Sequence, residues 1–205
     1  MSLINRFKNK NESFRMFYQE AELKTSLGEK LISWFPTTPR DYIVVFIGTD
    51  RSTGDALGPL AGSLFSSLNP KHLTIYGTLH QPVHATNLQD YLDKIKSKHR
   101  NPFIIAIDAC LGKNTSIGQL IAGTGPISPG AALNKRLPDV GDIHVTGVVN
   151  ISGFMEYAVL QNTRLSIVMD MATKISELLA YIDQRLCYQH TQPAIVLPIN
   201  KEKTM

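Results

Sequence analysis

Two aspartates follow apolar stretches of this chain in the same way. Asp55 comes after the apolar run 42–47 and the turn-rich segment 48–54, and Asp108 comes directly after the apolar run 103–107. When two carboxyl groups share a site, repulsion between like charges raises one pKa, so that the pair holds one proton. Such a pair then acts as general acid and general base around a water molecule. Asp55 and Asp108 are therefore candidate catalytic residues.

Each aspartate also has a purely structural interpretation. Asp55 precedes a predicted helix, where an aspartate oxygen accepts a hydrogen bond from a free amide and gains from the helix dipole. Asp108 precedes residues 109–114, a loop that its side chain could cap. The local sequence leaves these interpretations open, and the catalytic one is favoured if both residues share one site.

The elements around the aspartates predict how they are positioned. The run 42–48 is typical of a strand buried on both faces, and apolar residues at helical spacing after Asp55 predict a helix over 56–68. A second strand at 73–78, a further helix and a third strand at 103–109 follow. This alternation predicts a doubly wound sheet in which the first and third strands are neighbours, so that both aspartates face one crevice.

The second half of the chain predicts a mixed sheet. The apolar run 116–122 follows the third strand after only about six residues, whereas a parallel crossover needs about a dozen or more, so this strand should run antiparallel. The Gly- and Pro-rich segment 123–138 predicts an ordered surface loop. A strand at 143–149 and helices at 153–161 and 165–188 complete the pattern. The expected α/β fold is a three-layer α/β/α sandwich with a mostly parallel, mixed five-stranded sheet and one antiparallel strand.

The two ends of the chain depart from this pattern. Residues 1–40 mix charged and aromatic side chains, and they predict an N-terminal arm and a short helix packed on the domain, with Ser26 and Glu29 as a capping box. Residues 41–188 are expected to form a single α/β/α domain. Residues 189–205 are polar or interrupted by proline and predict a flexible C-terminal tail.

Composition narrows the class of protein. The chain has 205 residues, of which 43% are hydrophobic and 19% charged, as is usual for one soluble globular domain. Its net charge of +4 comes from scattered lysines and arginines, a pattern typical of solvated faces and not of a nucleic-acid groove. The polar N-terminus does not resemble a signal peptide, and no apolar run reaches the length of a membrane span. We therefore expect a cytoplasmic protein that binds neither nucleic acid nor membrane.

Local spacing predicts no cofactor. Gly48, Gly54 and Gly58 do not match the glycine patterns of dinucleotide- or phosphate-binding loops. The six histidines and the two cysteines, Cys110 and Cys187, show no spacing typical of metal ligands. Reduced thiols are expected in a cytoplasmic protein.

Several motifs, taken together, resemble those of the bacterial spore germination protease. They are Phe46-Ile47-Gly48, Thr53-x-Asp55-Ala56-Leu57-Gly58-Pro59, Ile105-Ala106-Ile107-Asp108-Ala109, and Thr124-Gly125 leading through Pro129-Gly130 to Asn134-Lys135-Arg136. The same frame is similar to the hydrogenase-maturation endopeptidases, and the chain as a whole resembles the YyaC group of sporulation proteins. The resemblance extends over residues 42–160.

This resemblance implies both an activity and a site. Asp55 and Asp108 match the two acidic positions that are implicated in peptide hydrolysis in the germination protease and that help to hold nickel in the maturation enzymes. Asn150 stands where the maturation enzymes carry a ligand histidine. An amide oxygen is a poor substitute for imidazole on nickel, so we expect no metal. Thr49 replaces the usual asparagine of the first motif.

Two functions follow from the resemblance. The first is an endopeptidase that acts on a protein or peptide during spore formation or germination, with Thr49, Thr53, Asn150, Pro129 and Gly130 as substrate-binding residues. The second is a non-catalytic protein that binds a peptide or partner in the same crevice, because a shared fold does not establish turnover. Both aspartates favour the first function, and the changed polar positions favour the second. The sequence leaves the oligomeric state open.

Overall fold

A six-stranded sheet forms the centre of the protein. The computed structural model describes residues 12–130, 137–187 and 195–196, and the strand order in the sheet is β1-β5-β6-β4-β2-β3. The strands are β1 (Ser13–Phe17), β2 (Tyr42–Phe46), β3 (Leu73–Tyr76), β4 (Phe103–Gly112), β5 (Gln119–Thr124) and β6 (Ile143–Ile151). The predicted five-stranded sheet was therefore one strand short.

The strand directions confirm that the sheet is mostly parallel with one antiparallel strand. β2 pairs in parallel with β3 and with β4, and β4 pairs in parallel with β6. β5 runs antiparallel to β6 and to β1, so β1 points along the parallel strands. Only a short turn at Asn114–Ser116 and its flanking residues separate β4 from β5, too short a connection for a parallel crossover.

The additional strand, β1, lies in the segment predicted as an arm. Phe14 and Met16 are half-buried and pack against the core, while Ser13, Arg15 and Phe17 are exposed. This alternation has the period of a half-buried strand. It extends over only five residues, and pairing with β5 is what orders it.

Helices cover both faces of the sheet. They are α1 (Leu23–Ile32), α2 (Leu57–Ser67), α3 (Leu88–Lys98), α4 (Glu156–Gln161) and α5 (Leu165–Arg185). Buried side chains of α1, α2 and α5 share one apolar cluster with one face of the sheet, and α3 packs in a second cluster on the other face. The predicted three-layer α/β/α sandwich is confirmed. Among the described helices, none combines the length and apolar character that crossing a bilayer requires.

β2 shows why the sheet is stable at its centre. All five of its residues are buried, with Val44 and Phe46 in the first cluster and Ile43 and Val45 in the second. Full burial of such a side chain contributes about 1.5–3 kcal/mol relative to exposure. The segment that carries Asp55 therefore starts from one of the best-anchored strands of the sheet.

Local details at the chain ends differ from the predictions. α1 begins at Leu23, and no side chain caps its start, so the capping box of Ser26 and Glu29 was wrong. Glu29 instead accepts a hydrogen bond from Arg185 at 2.9 Å and another from the Tyr181 hydroxyl. These contacts join α1 to α5.

The C-terminal helix is shorter than predicted. α5 ends at Arg185, and the next two residues form β7 (Leu186–Cys187), which pairs antiparallel with β8 (Ile195–Val196). Cys187 therefore lies in a strand and not in a helix. The rest of the predicted tail, and the first part of the predicted arm, lie outside the described residues, and the division of the chain at residues 40 and 188 stays a prediction.

Candidate active site

A cavity of about 630 Å³ lies where β2 ends and beside the carboxyl-terminal half of β4. This is the position at which parallel sheets bind ligands, because the loops after neighbouring strands diverge there. Asp55 and Asp108 both line the cavity. They arrive from adjacent strands, since β2 and β4 pair directly. The structure thus brings the two candidate catalytic residues together.

A tight loop after β2 places Asp55. Gly48 has a φ of +145°, and a Cβ atom on it would lie 1.9 Å from the backbone oxygen of Asp55. The amide of Thr49 donates to that same oxygen at 3.1 Å. Only glycine allows the chain to approach so closely at this backbone conformation. A short 3₁₀ turn, Gly54–Ala56, then leads directly into α2.

The capping interpretation of Asp55 does not agree with this geometry. Asp55 lies within the 3₁₀ turn, and no side chain makes a capping hydrogen bond at the start of that turn or of α2. Burial raises the pKa of the Asp55 carboxyl, and the nearby hydroxyl of Ser52 counteracts part of this rise. Its side chain is therefore directed to the cavity as a partly desolvated acid.

Asp108 lies in the interior of β4, which continues to Gly112. Its oxygen Oδ1 accepts a hydrogen bond from the amide of Ala109 at 2.8 Å, so it bonds its immediate neighbour and caps no loop. Burial raises the pKa of Asp108 to about 8, the Ala109 amide opposes this rise, and the charge of Asp55 adds to it. At neutral pH Asp108 is mainly protonated.

The two acids therefore differ in their protonation at neutral pH. Burial and, to a smaller extent, the charge of Asp55 raise the pKa of Asp108, so at neutral pH the proton resides mainly on Asp108. A protonated and an ionised carboxyl facing the same space are what general acid–base hydrolysis requires.

The cavity also contains polar groups that the sequence did not single out. Cys110 and Thr146 both line it, and Thr146 is the neighbour of Asp108 across β4 and β6. Burial raises the pKa of the Cys110 thiol, the Thr146 hydroxyl opposes this, and the charge of Asp108 adds to it. Cys110 is therefore a neutral thiol at neutral pH and a poor nucleophile. No local signal marks Thr146, because only the pairing of the strands brings it to Asp108.

The predicted substrate-binding residues divide into two groups. Thr49, Pro129 and Gly130 line the cavity, whereas Thr53 and Asn150 are not among the lining residues. Thr53 precedes the 3₁₀ turn that carries Asp55. Residues 131–136 of the same predicted loop lie outside the described part of the chain.

Asn150 holds a neighbouring helix in place. Its amide nitrogen donates to the backbone oxygen of Val159 at 3.3 Å and to the Thr163 hydroxyl at 3.2 Å. Its side-chain oxygen accepts from the amide of Ile151 at 2.8 Å. The first two contacts fasten the end of β6 to α4 and to Thr163 just beyond it, and the third lies within β6.

Helix α4 forms one wall of the cavity. Glu156, Tyr157 and Leu160 all line it, and Leu160 packs on Gly54, where a Cβ atom would lie 2.7 Å from its Cδ2. The residue before the helix, Met155, has a left-handed φ of +59°. For a residue other than glycine this conformation costs on the order of 1–2 kcal/mol. The tight turn therefore has an energetic cost that its surroundings must offset.

The donor groups of the cavity do not fit nickel. Asp55 and Asp108 supply oxygen, and the amide of Asn150 is engaged with α4. Nickel prefers imidazole or thiolate ligands, and burial keeps the thiol of Cys110 protonated. His84 lines the cavity, but its Nδ1 lies 2.9 Å from the Thr86 hydroxyl. Within the described ranges, no three His, Cys, Asp or Glu side chains come together in an arrangement that could hold a metal ion.

The fold belongs to a known structural class. The structure is similar to that of a [NiFe] hydrogenase maturation protease, HycI, from Thermococcus kodakarensis KOD1, with a TM-score of 0.52 and 18% sequence identity. The similarity covers 76% of this chain and 99% of that protein. The protein therefore has the hydrogenase-maturation-protease fold, as predicted.

Sequence comparison identifies the family. The DUF1256 family, described as proteins of unknown function, matches residues 15–178. The chain is also 54% identical over 142 residues to the uncharacterized protein YyaC of Bacillus subtilis (strain 168). The matched region covers 69% of each of the two proteins. The chain belongs to the DUF1256 family, and the predicted similarity to YyaC is confirmed.

Proposed function

We propose that this protein is an endopeptidase in which Asp55 and Asp108 activate water against a peptide bond of a protein substrate. The observation that carries the proposal is the position of two carboxyl groups in one cavity, both with raised pKa and with Asp108 at about 8. Groups tuned in this way cluster at functional sites because catalysis at neutral pH needs them.

The protonation states assign a role to each acid. The Asp55 carboxylate takes a proton from water while the water oxygen bonds to the peptide carbonyl carbon, and Asp108 donates its proton to the carbonyl oxygen. The resulting diol collapses when Asp55 passes its proton to the leaving amine and Asp108 regains a proton from a hydroxyl. Atoms balance, and both acids return to their starting states.

The cavity supports a polypeptide as the substrate. Its volume of about 630 Å³ accommodates several side chains, and its wall combines apolar residues with a few polar groups, as is typical of ligand sites. The acidic pair disfavours phosphate groups, so we propose neither nucleic acid nor membrane lipid as partner. On the resemblance to the spore germination protease, we propose that the substrate is a protein of the developing or germinating spore.

The decisive experiment is cleavage by the purified protein. Small acid-soluble spore proteins and an extract of sporulating cells would be incubated with the wild type, with Asp55→Asn and with Asp108→Asn, and new termini mapped by mass spectrometry. We expect defined fragments from the wild type and a loss of about a thousandfold or more in rate in either variant. Asp90→Asn, an exposed aspartate on α3, is the matched control. Fragments that persist unchanged in Asp55→Asn would contradict the proposal.

A second candidate function is binding of a polypeptide without cleavage. Exposed apolar side chains next to the cavity favour it, because they suit a docking partner whether or not a bond is broken. A stable complex between the wild type and an uncleaved protein from sporulating cells would support this alternative over the endopeptidase.

A further inference from the structure

Three large apolar side chains at and just before the start of α4, the helix that forms one wall of the cavity, are open to solvent. Phe154 is 98% exposed, Met155 73% and Tyr157 54%. We call these three residues the apolar rim. Tyr157 also lines the cavity, together with its neighbour Glu156. Tyr157 of the apolar rim therefore opens directly onto the space that holds Asp55 and Asp108, and Met155 and Phe154 precede it closely in the chain.

The backbone that carries the apolar rim is fixed by contacts with the rest of the domain. Met155 adopts its left-handed conformation at the turn into α4, and Asn150 and the contact of Leu160 with Gly54 fasten α4 to the rest of the domain. A strained turn beside a cavity is common at ligand sites. Exposed apolar groups that are contiguous with a cavity mark binding surfaces.

The cavity interior continues the apolar surface. Ile127, Leu137 and Leu160 all line it. A bound chain thus meets apolar surface both at the rim and inside, where a large apolar side chain is removed from water.

The charges of the cavity set a second requirement. The carboxylates of Asp55 and Glu156 line it, against the single arginine Arg51 among the described lining residues, while Asp108 is mainly protonated at neutral pH. An acidic side chain entering this space meets like charge in a poorly solvated environment, which is unfavourable. Apolar and basic side chains meet no such repulsion.

We propose that the apolar rim and the apolar part of the cavity wall select extended polypeptide segments that carry a large apolar side chain next to the cleaved bond and no acidic residue beside it. The inference rests on the proposed function for the cleavage step. Binding itself is measurable separately, because Asp108→Asn removes the acid without altering the apolar rim.

The test uses four fluorescein-labelled peptides of ten residues in a Gly-Ser background. They are identical except for a central pair that is Phe-Phe, Leu-Leu, Lys-Lys or Asp-Asp, and binding to the full-length Asp108→Asn protein is followed by fluorescence anisotropy. We expect the Phe-Phe and Leu-Leu peptides to bind at least about tenfold more tightly than Asp-Asp. When Phe154→Ser and Tyr157→Ser are added to the Asp108→Asn protein, the Phe-Phe and Leu-Leu peptides should bind about tenfold more weakly.

The control is Leu68→Ser. Leu68 is 53% exposed and lies at the opposite end of α2 from Asp55, so its loss removes a similar apolar surface far from the cavity. Equal affinity for all four peptides, or an equal loss in Leu68→Ser, would overturn the inference. The inference would also be overturned if sedimentation showed that the wild type is a dimer and the rim variant a monomer. A second copy of the chain would then cover the apolar rim.

The outcomes separate this inference from the proposed function. Selective binding of Phe-Phe by a protein that cleaves no polypeptide would refute the endopeptidase and leave the docking surface standing. Cleavage by the wild type that is unchanged in rate and position in the rim variant would support the endopeptidase and refute the docking surface.

Discussion

Leu160 of α4 packs directly on Gly54, the residue that precedes Asp55. A Cβ atom on Gly54 would lie 2.7 Å from Cδ2 of Leu160 and 3.1 Å from its backbone oxygen. The turn that carries Asp55 and the wall of the cavity therefore meet at this contact. Neither residue belongs to the acid pair, yet both constrain the position of Asp55.

Gly54→Ala tests this contact. The added methyl group displaces the end of the Leu160 side chain and presses on its backbone oxygen, so we expect a loss of stability of about 1–3 kcal/mol and a fall in peptidase activity. Urea unfolding and kinetics would measure the two effects. The control is Gly153→Ala, because a Cβ atom there meets nothing within 4 Å. Equal stability of the two variants would show that α4 does not press on the turn.

Asn150→Ala tests whether α4 is fastened from β6. The variant loses the hydrogen bonds to Val159, Thr163 and Ile151, and we expect a destabilisation of about 1–3 kcal/mol. Because Tyr157 and Leu160 then lose their fixed position, KM should rise more than kcat falls. Asn162→Ala is the control, since it removes only one exposed hydrogen bond, to Ala158. An unchanged KM would show that Asn150 does not position the cavity wall.

The pH dependence of cleavage follows from the two acids. Asp108 must carry a proton, and its pKa is about 8, so kcat/KM should fall as the pH rises through that value. Asp55 must be ionised, and its pKa lies above the ordinary aspartate value of 3.8, so activity should also fall on the acid side, beginning at a higher pH than for a solvated aspartate. A rate profile between pH 4 and 10 measures both limbs. Activity that keeps increasing above pH 9 would contradict the role of Asp108 as acid.

Asp108→Asn should stabilise the protein at neutral pH. The pKa of this carboxyl is higher in the folded protein than in the unfolded chain. As the pH rises above the unfolded pKa, the carboxyl ionises more readily in the unfolded chain, and the free energy of unfolding falls. The fall ends when the pH reaches the folded pKa. For Asp108 the window extends from the ordinary value of 3.8 to about 8. At pH 7 we expect Asn to add on the order of 2 kcal/mol to the free energy of unfolding, after allowance for solvent in the cavity.

The measurement for this variant is urea unfolding at pH 4 and pH 7. The stability of Asp108→Asn relative to the wild type should be small at pH 4 and clearly larger at pH 7, and it should level off only above about pH 8, where the folded carboxyl ionises. Asp90→Asn should show no such trend, because Asp90 is exposed. A constant difference at both pH values would mean that the carboxyl of Asp108 is not desolvated as described.

Much of the fold followed from local patterns. The apolar run of β2 and the helical spacing of α2 show which residues of each segment are buried. The short connection after β4 shows that the next strand must run antiparallel. These are properties of neighbouring residues, so the sequence contains them directly. The order of the elements then made β2 and β4 neighbours, which was enough to place Asp55 and Asp108 at one cavity.

The tertiary structure decided what depends on partners distant in the sequence. β1 forms a strand because it pairs with β5. Thr146 lies next to Asp108 only because β4 pairs with β6. The side chain of Asn150 bonds to α4 and does not line the cavity. Periodicity records that a side chain is buried but not what it is buried against. The sequence by itself therefore determined the two acids and the strands that carry them, while packing between distant segments determined their protonation states and the wall of the cavity.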